Sequence, residues 1–337
     1  MRAAFCTGKH QIEVRDTPDP RPNPGEALVR VRAAGICGSD LHLYNGSFPA
    51  MPNVSPGHEF AGEIAALGEG VTGWAEGDRV VVEPIVSCRA CSYCRFGRYQ
   101  LCQKHVLLGT FKSGGMAEFV PVPAYGLYRM PDSLDFHTAA LTEPLAVAVH
   151  GLHLVDLKAG EKVLILGSGT IGVMSTLAAS AAGCSVVATY RHDHQGEAAL
   201  AAGADRIVRD GETAGLESEG FDVVVETVGG TASTLGQALG IVRRGGRVCV
   251  LGLFTQSSPI NSLGLILKET RVAGGIEYCT PGLRSDFDVA LGILDRHSDR
   301  ARAFVTHRFP LSETAAAFAT AADKTSKSLK VHLAPGA

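Results

Sequence analysis

The sequence predicts an α/β protein with a mostly-β first part and a second part built on a doubly wound parallel sheet. Residues 1–140 are rich in glycine and proline and hold short alternating apolar runs. From about residue 145, apolar strands alternate with helical stretches, a rhythm typical of a parallel sheet with helices on both faces. A chain of 337 residues also exceeds the usual size of one core, so we expect two domains.

Short apolar runs bounded by turn residues predict the strands of the first part, which lie at residues 27–35, 60–68 and 78–84. The gaps between these runs are too short for a helix that crosses between parallel strands. This part of the chain therefore predicts a small antiparallel barrel or sandwich.

The second part begins with the buried strand KVLILG, which a helical stretch and a second strand follow. The predicted strands lie at 162–167, 185–190, 206–208, 221–229, 246–253 and 271–276, with helices at 171–183 and 197–205. The chain then returns to strand character at 304–311 and 328–333, around a helix at 312–323. We expect these last strands to pair back with the first part.

Composition and charge exclude several classes of function. The net charge of −3 gives no reason to expect nucleic acid or an anionic membrane as a partner. Nine cysteines, an odd number, predict a reducing and hence cytoplasmic location, and the N-terminus lacks the apolar core of a secretory signal. The uncharged stretch between Lys162 and Arg191 has the length of a membrane span, but its glycines and β-rich ends favour strand–turn–helix–strand.

Four cysteines with the spacing C-x2-C-x2-C-x7-C form the strongest motif: Cys88, Cys91, Cys94 and Cys102. Four thiolates so close in sequence can surround one tetrahedral Zn²⁺ and leave no position open, which predicts a structural zinc. An iron–sulfur cluster and unmetallated thiols remain as alternatives, although the last gap is longer than in a ferredoxin-like run and no proline follows Cys102.

A glycine-rich turn, GSGTIG, directly follows the strand KVLIL and opens a helix, which is the context of a dinucleotide site. The first glycine permits the tight turn, the second admits the pyrophosphate, and the third allows close helix packing. The helix N-terminus offers free N–H groups to phosphates. The predicted cofactor contacts of this Rossmann-type turn are Gly167, Ser168, Gly169, Thr170, Ile171 and Gly172.

The end of the second strand of this part predicts which nicotinamide cofactor is bound. An NAD enzyme usually places an acid there to hold the ribose hydroxyls. Here the strand ends in Tyr190, followed by Arg191 and His192. Because a guanidinium can bind a 2′-phosphate, this pattern favours NADP(H) over NAD(H). The alternative is that Arg191 is a solvated charge and that Asp193 reaches the ribose.

A second set of metal-capable residues is scattered along the first part. Cys37 lies in GICGSDLH, His58 and Glu59 lie in PGHEF, and Glu143 lies in LTEPLAVAVHG. One thiolate, one imidazole and one or two carboxylates can hold Zn²⁺ and leave a position open for a substrate. Taken singly, each residue is also explained as a buried cysteine, a capped histidine or a glutamate at a helix start.

The order of these motifs along the chain resembles the zinc-dependent medium-chain dehydrogenase/reductase family, which includes alcohol, polyol and threonine dehydrogenases. The resemblance runs from about residue 2 to residue 333. It implies a GroES-like catalytic domain interrupted by a Rossmann cofactor domain. The implied bounds are 1–145 and 286–337 for the catalytic domain, with the zinc lobe at 84–105, and 146–285 for the cofactor domain.

The resemblance also implies roles for the scattered residues. Cys37 and His58 match ligands of the catalytic zinc, and Glu143 falls where the third protein ligand sits. Glu59 follows the ligand histidine, and in relatives it binds the metal directly or stands behind it.

Ser39 and His42 match the proton relay of the family. The implied activity is that of a zinc-dependent NAD(P)(H) alcohol dehydrogenase, with NADPH preferred, acting reversibly on a secondary alcohol or polyol and its ketone. The alternatives are a threonine- or amino-alcohol-type dehydrogenase using NAD, a medium-chain zinc lyase, a zinc-free enoyl or quinone reductase, and a non-catalytic NADPH-binding relative. The resemblance further implies a homodimer or homotetramer.

Overall fold

The computed structural model describes residues 1–336, except for the side chain of Lys324. These residues form two compact units. The first unit contains Met1–Glu143, Thr280–Gly282 and 294–336, and the second contains Pro144–Cys279 and Leu283–Ile293. The predicted pairing of a β-rich part with a doubly wound parallel sheet is confirmed. The predicted domain bounds stay a prediction. In the structure, the chain passes from the second unit back to the first within a helix.

The first part of the chain contains mostly short strands and ends with a longer helix. In chain order the elements are β1 (Arg2–Gly8), β2 (Gln11–Asp16), β3 (Glu26–Gly35), α1 (Gly38–Tyr44), β4 (Glu59–Leu67), β5 (Arg79–Val82), β6 (Ile85–Val86), α2 (Ser92–Arg95), β7 (Val106–Leu107), β8 (Phe119–Pro123), β9 (Leu127–Arg129), α3 (Phe136–Ala140) and α4 (Thr142–Leu154).

Strands and helices then alternate. The elements are β10 (Lys162–Leu166), α5 (Thr170–Ala181), β11 (Ser185–Tyr190), α6 (Asp193–Ala202), β12 (Arg206–Arg209), β13 (Val223–Glu226), α7 (Thr234–Ile241), β14 (Arg247–Val250), α8 (Ser262–Lys268), β15 (Arg271–Gly274), α9 (Asp286–Arg296), α10 (Ser298–Arg302), β16 (Val305–Pro310), α11 (Thr314–Ala322) and β17 (Lys330–Ala334). Short 3₁₀ turns lie at Tyr99–Leu101, Ala124–Gly126, Leu216–Glu219, Leu311–Glu313 and Lys324–Ser326.

The first unit is organised by a seven-stranded sheet with the order β16-β17-β3-β4-β5-β9, and β8 also pairs with β3. The three strands expected from the sequence are present as β3, β4 and β5, and the two returning strands join the same sheet. In the register, Gly35 lies opposite both Glu59 and His332. One pair departs from the expected antiparallel pattern: β16 and β17 run parallel, because α11 provides the crossover between them.

The second unit contains a six-stranded parallel sheet with the order β12-β11-β10-β13-β14-β15. Val163, Leu164 and Ile165 of β10 are fully buried, as expected for a central strand covered by helices on both faces. Fully burying each such side chain contributes about 1.5–3 kcal/mol. From β10 the strand order runs outward to β12 on one side, and from β13 it runs outward to β15 on the other, so the order reverses between β10 and β13. Ligands of such sheets bind beyond the carboxyl ends of the strands at this point.

The uncharged stretch between Lys162 and Arg191 forms β10, α5 and β11, as the sequence predicts. Within residues 1–336, no helix combines the length and the apolar character required to cross a bilayer.

A pair of histidines in the first unit makes its stability depend on pH. The Nδ1 atoms of His137 on α3 and His332 on β17 lie 3.3 Å apart. Burial, and next the positive charge of Arg308, lowers the pKa of His137 to about 4. Burial also lowers the pKa of His332 well below its ordinary value. Both rings are therefore neutral in the folded chain at neutral pH.

We predict that His137→Phe reduces the loss of stability in mild acid. Below pH of about 6.5 the unfolded histidine binds a proton, whereas folded His137 stays neutral down to about 4. The free energy of unfolding therefore falls across this window, and the variant lacks that contribution. Urea unfolding at several pH values measures the slope, with His307→Phe on β16 of the same unit as control. Equal slopes for the wild type and His137→Phe would contradict the assignment.

Candidate active site and metal centres

The four predicted cysteines converge in a loop of the first unit. The Sγ of Cys88 lies 3.8 Å from that of Cys94 and 3.5 Å from that of Cys102, and the Sγ atoms of Cys91 and Cys94 are 3.5 Å apart. A disulfide requires about 2.05 Å, so these are separate thiols. Four sulfurs around a tetrahedral Zn²⁺ at about 2.3 Å lie about 3.8 Å from one another. The geometry thus fits one closed zinc site.

Backbone donors favour thiolates in this lobe. The Cys91 N–H donates to the Cys88 Sγ at 3.4 Å, and the Lys104 N–H donates to the Cys102 Sγ at the same distance. The N–H groups of Ala90 and Cys91 lower the pKa of Cys88 to about 6. A thiolate is the form that binds metal, so Cys88 is prepared for a cation, whereas burial raises the pKa of Cys94 to about 11. The close spacing of the sulfurs favours a single ion over an iron–sulfur cluster.

Three of the scattered metal-capable residues also come together. Cys37 precedes α1 just after β3 ends, and His58 and Glu59 lie at the start of β4. Because β3 and β4 pair antiparallel with Gly35 opposite Glu59, the end of one strand meets the start of the other. One donor atom from each of Cys37, His58 and Glu59 lies within 4.8 Å of the other two. A thiolate, an imidazole and a carboxylate form a donor set that fits Zn²⁺.

Negative groups surround the buried imidazole of His58. Burial opposes its protonation, but the charges of Cys37, Asp40 and Glu143 outweigh burial and raise the pKa of His58 well above its ordinary value. Asp40 Oδ1 lies 3.9 Å from His58 Nδ1, and Asp40 Oδ2 accepts the Cys37 N–H at 2.9 Å. Several anions around one buried ring mark a place for a cation.

Sequence reasoning missed Asp40, which is 1% exposed and stands behind His58. Its charge contributes to the raised pKa of His58. The signal was available, since Asp40 is the acid within CGSDLH and lies in the first turn of α1.

Lys330 on β17 was also missed, and it pairs with Glu59. Its Nζ lies 2.5 Å from Glu59 Oε1, contacts Oε2 as well, and donates to the Ile36 carbonyl at 2.9 Å. Both side chains are nearly fully buried. A Cβ on Gly35 would lie 2.1 Å from Glu59 Oε2, so only glycine leaves room for this pair. The only signal in the sequence is a lysine at the start of an apolar strand.

Glu143 occupies the first turn of α4 and is 5% exposed. Within the described chain it lies outside the group of donor atoms formed by Cys37, His58 and Glu59. Its charge still contributes to the raised pKa values of His58 and Lys330, which places it beside the cluster.

The predicted relay residues lie on α1 at the same cluster. Ser39 Oγ is 3.4 Å from His58 Nε2. The ring of His42 packs on Phe48 with centroids 5.0 Å apart, and its buried Nδ1 makes no hydrogen bond within the described chain. The structure gives no hydrogen bond between Ser39 and His42 in residues 1–336.

A mostly apolar cavity of about 280 Å³ opens beside Ser39. Phe48, Met51 and Phe111 line it, and each of these side chains is unusually exposed for its type. A small apolar pocket next to a polar catalytic cluster is the usual setting for a small-molecule site.

The glycine turn has the geometry that a dinucleotide requires. Gly167 has φ of +94°, and a Cβ on Gly172 would lie 1.9 Å from the Gly167 carbonyl oxygen. A Cβ on Gly169 would meet nothing within 4 Å, which leaves open space before α5. Ser168 Oγ donates to the Thr189 carbonyl at 2.7 Å, and the Gly167 N–H donates to Thr189 Oγ1 at 2.9 Å. The turn therefore fits a pyrophosphate, with Thr170 and Ile171 in the first turn of the helix.

Two arginines lie at the ends of neighbouring strands near the predicted ribose position. Tyr190 ends β11 and lies opposite Arg209 of β12, whose guanidinium stacks 5.1 Å from the Tyr190 ring centroid. Arg209 also pairs with Asp193. Sequence reasoning missed Arg209, although the end of the adjacent parallel strand is where a second cation belongs.

The predicted Arg191 is exposed and donates to Asp210 from Nε at 3.1 Å and from Nη2 at 2.8 Å. His192 caps α6, and its ring stacks on His194 with centroids 5.8 Å apart. Each guanidinium at this edge is thus balanced by one aspartate.

Comparison with known families accounts for both units. A model described as the alcohol dehydrogenase GroES-like domain matches residues 23–132, and a model described as zinc-binding dehydrogenase matches residues 170–296. The predicted combination of a GroES-like domain and a Rossmann domain is thereby confirmed.

Individual relatives cover nearly the whole chain. The sorbitol dehydrogenase of Halalkalibacterium halodurans is 34% identical over 99% of both chains, and the L-threonine 3-dehydrogenase of Bacillus licheniformis is 33% identical over 88% of both. A zinc-binding dehydrogenase of Sinorhizobium meliloti, solved bound to NADP, superposes with a TM-score of 0.88 at 32% identity over 99% of both chains.

The chain belongs to the zinc-dependent medium-chain dehydrogenase/reductase family. It is an oxidoreductase that acts on CH–OH groups of a small-molecule substrate with zinc and a nicotinamide cofactor. The predicted family and enzyme class are confirmed.

We predict opposite outcomes for two matched cysteine substitutions. Cys91→Ala removes a ligand from the lobe, so it should release about one zinc per chain and lower the thermal unfolding midpoint, since metal binding contributes to folding. Cys37→Ala should abolish activity and leave that midpoint almost unchanged. Zinc analysis, calorimetry and activity on both variants measure this, and an unchanged midpoint in Cys91→Ala would contradict a structural zinc.

Proposed function

We propose that this protein is an NADP(H)-preferring, zinc-dependent dehydrogenase of a secondary alcohol or polyol. The observation that carries the proposal is the buried cluster of Cys37, His58 and Glu59, with Ser39 beside it on the wall of a mostly apolar cavity. The relative named as a sorbitol dehydrogenase supports a polyol. Cys88, Cys91, Cys94 and Cys102 hold the second, structural zinc in this proposal.

When bound, the catalytic zinc lowers the pKa of the substrate alcohol and the nicotinamide accepts the hydride. The residues of the chain prepare this chemistry. Cys37 and His58 supply a thiolate and an imidazole, and the Asp40 carboxylate, 3.9 Å from the His58 ring, favours positive charge there. The apolar wall of the cavity excludes water from the substrate carbon.

The two glutamates have different tasks in this proposal. Glu143 is the third protein ligand, because it is buried and acts electrostatically on His58 from beside the cluster. Glu59 stands close behind the metal ligands, since Lys330 contacts both of its carboxylate oxygens. The lysine cancels the charge of Glu59, so the ligand set carries the charge of one thiolate and one carboxylate. Two such charges neutralise a divalent ion.

Ser39 and His42 move the proton released by the alcohol. Ser39 Oγ is within reach of the cluster, and the unbonded Nδ1 of His42 is available to accept a proton. His42 lies one helical turn after Ser39, so both face one side of α1.

NADP(H) is preferred because two guanidiniums lie where the 2′-phosphate of the cofactor is expected. Arg191 follows β11 and Arg209 ends the neighbouring strand β12. The phosphate would replace Asp210 and Asp193 as the anion facing these two side chains. The relative solved with NADP supports the same choice.

A threonine- or amino-alcohol-type dehydrogenase using NAD is the second candidate. The relative named as an L-threonine 3-dehydrogenase favours it, and so do Asp193 and Asp210, which could hold ribose hydroxyls in place of a phosphate.

We also infer a homodimer or homotetramer in a cytoplasmic setting. Leu263, Ile266 and Leu267 on α8 are each more than half exposed, and the adjacent β15 is an edge strand of the parallel sheet. Exposed apolar surface beside an open strand edge is typical of a surface that a second subunit covers. The nine cysteines, all free thiols, support a reducing compartment.

A substrate panel tests the proposed activity. Secondary alcohols, polyols and amino alcohols, each offered with NADP⁺ and with NAD⁺, should give the highest kcat/KM for a polyol or secondary alcohol with NADP⁺. Removal of zinc by a chelator should abolish the activity, and added zinc should restore it. Preference for an amino alcohol with NAD⁺ would instead establish the second candidate.

We predict that Arg191→Ala weakens NADP(H) binding by about tenfold and changes NAD(H) binding little. Loss of a hydrogen bond to a charged phosphate typically costs about 1.5–3 kcal/mol, and 1.4 kcal/mol corresponds to tenfold. Fluorescence titration of NADPH and NADH measures both constants. Arg206→Ala, another exposed arginine of the same unit that pairs with Glu219, is the control. Equal effects of Arg191→Ala on the two cofactors would contradict the assignment.

A further inference from the structure

A third cluster of metal-capable residues lies in the second unit, apart from both predicted zinc sites. It joins His150 and His153 on α4, Cys279 in the loop between β15 and α9, and Asp286 at the start of α9. His150 Nδ1 lies 2.8 Å from Asp286 Oδ2 and 3.7 Å from Cys279 Sγ. One donor atom each from His150, Cys279 and Asp286 lies within 4.8 Å of the other two.

The carboxylate at the centre of this cluster is costly to bury. Asp286 is 0% exposed. Burial opposes its charge, but hydrogen bonds from the two histidines and from the Cys279 N–H lower the pKa of Asp286. In the described chain its ion pairs are with histidines alone, and no lysine or arginine lies within salt-bridge distance. A buried carboxylate without a permanent cation is a favourable place for a divalent ion.

The two oxygens of Asp286 have different partners. Oδ1 lies 2.5 Å from His153 Nδ1, while Oδ2 faces His150 and the thiol. A histidine that holds one oxygen while the other faces the donor atoms is the arrangement that orients a carboxylate ligand. His153 is the member of the cluster that solvent reaches, since its side chain is 45% exposed.

We propose that His150, Cys279 and Asp286 form a third metal site, which takes zinc or a similar divalent transition ion, with His153 positioning the carboxylate. A thiolate and a carboxylate neutralise the charge of a divalent ion, and the imidazole adds a neutral nitrogen. This mixture of sulfur, nitrogen and oxygen suits Zn²⁺ rather than Mg²⁺ or Ca²⁺, which prefer oxygen alone.

Binding requires only small movements. Around a tetrahedral zinc, a nitrogen and an oxygen ligand lie about 3.3 Å apart, and a sulfur and a nitrogen lie about 3.5 Å apart. The observed separations are 2.8 Å and 3.7 Å, so the donors shift by about half an ångström. The thiol proton leaves to solvent, and the proton of His150 Nδ1 is lost or carried on Nε2. The ion then ties the loop before α9 to α4.

Zinc counting tests this site in the full-length protein. The wild type, loaded by dialysis against zinc and measured by mass spectrometry of the metal, should carry about one more zinc per chain than Cys279→Ser. Cys249→Ser is the matched control, because Cys249 is also a fully buried thiol of the second unit but lies outside the metal-capable groups of the described chain. It should keep the wild-type count.

Cobalt substitution provides a second readout that does not depend on activity. The thiolate-to-cobalt absorption of the wild type should exceed that of Cys279→Ser and equal that of Cys249→Ser. If Cys279→Ser fails to fold, Asp286→Asn serves in its place, since the amide keeps the shape of the carboxylate and removes its charge. Equal zinc counts in wild type and folded variant would overturn the proposal and leave a hydrogen-bond network. Absence of zinc from the sites of Cys37 or Cys91 would not change the difference in zinc count between the wild type and Cys279→Ser. The test is therefore independent of the proposed catalytic function.

Discussion

The pairing of β3 with β4 on one side and with β17 on the other is the constraint on which the candidate active site depends. Gly35 lies opposite Glu59 in one register and opposite His332 in the other. This sets Cys37 beside His58 and brings Lys330 against Glu59, although 271 positions separate these last two residues in the sequence. A slip of one residue in either pairing would turn these side chains to the opposite face.

Charge balance explains why so many ionisable groups can be buried at the candidate active site. Cys37, Glu59 and Glu143 supply negative charge, and Lys330 is a buried ammonium that compensates Glu59. The remaining charge favours a further cation such as the proposed zinc, for which a proton on His58 would substitute only in part. Taking charges out of water is costly unless they are paired, so the buried cluster favours binding of a metal ion.

Much of this architecture could be predicted from the sequence because it depends on local patterns. The strands of both sheets, the glycine turn and the four-cysteine lobe follow from apolar periodicity and from ligand spacing. Lys330 and Arg209 could not be assigned, because each acts through a partner that only the tertiary pairing of strands brings near. The parallel pairing of β16 with β17 was not predicted for the same reason, since it depends on the crossover that α11 provides.

Crystallographic anomalous scattering at the zinc absorption edge tests the central claim most directly. The claim is that Cys37 and His58 hold a zinc separate from the ion of the four-cysteine lobe. We expect one peak within about 2.0–2.3 Å of the Cys37 Sγ and a His58 ring nitrogen, with Glu143 completing the ligands, and another peak among the four cysteines. A zinc-replete crystal with a peak in the lobe and none at Cys37 would contradict the account.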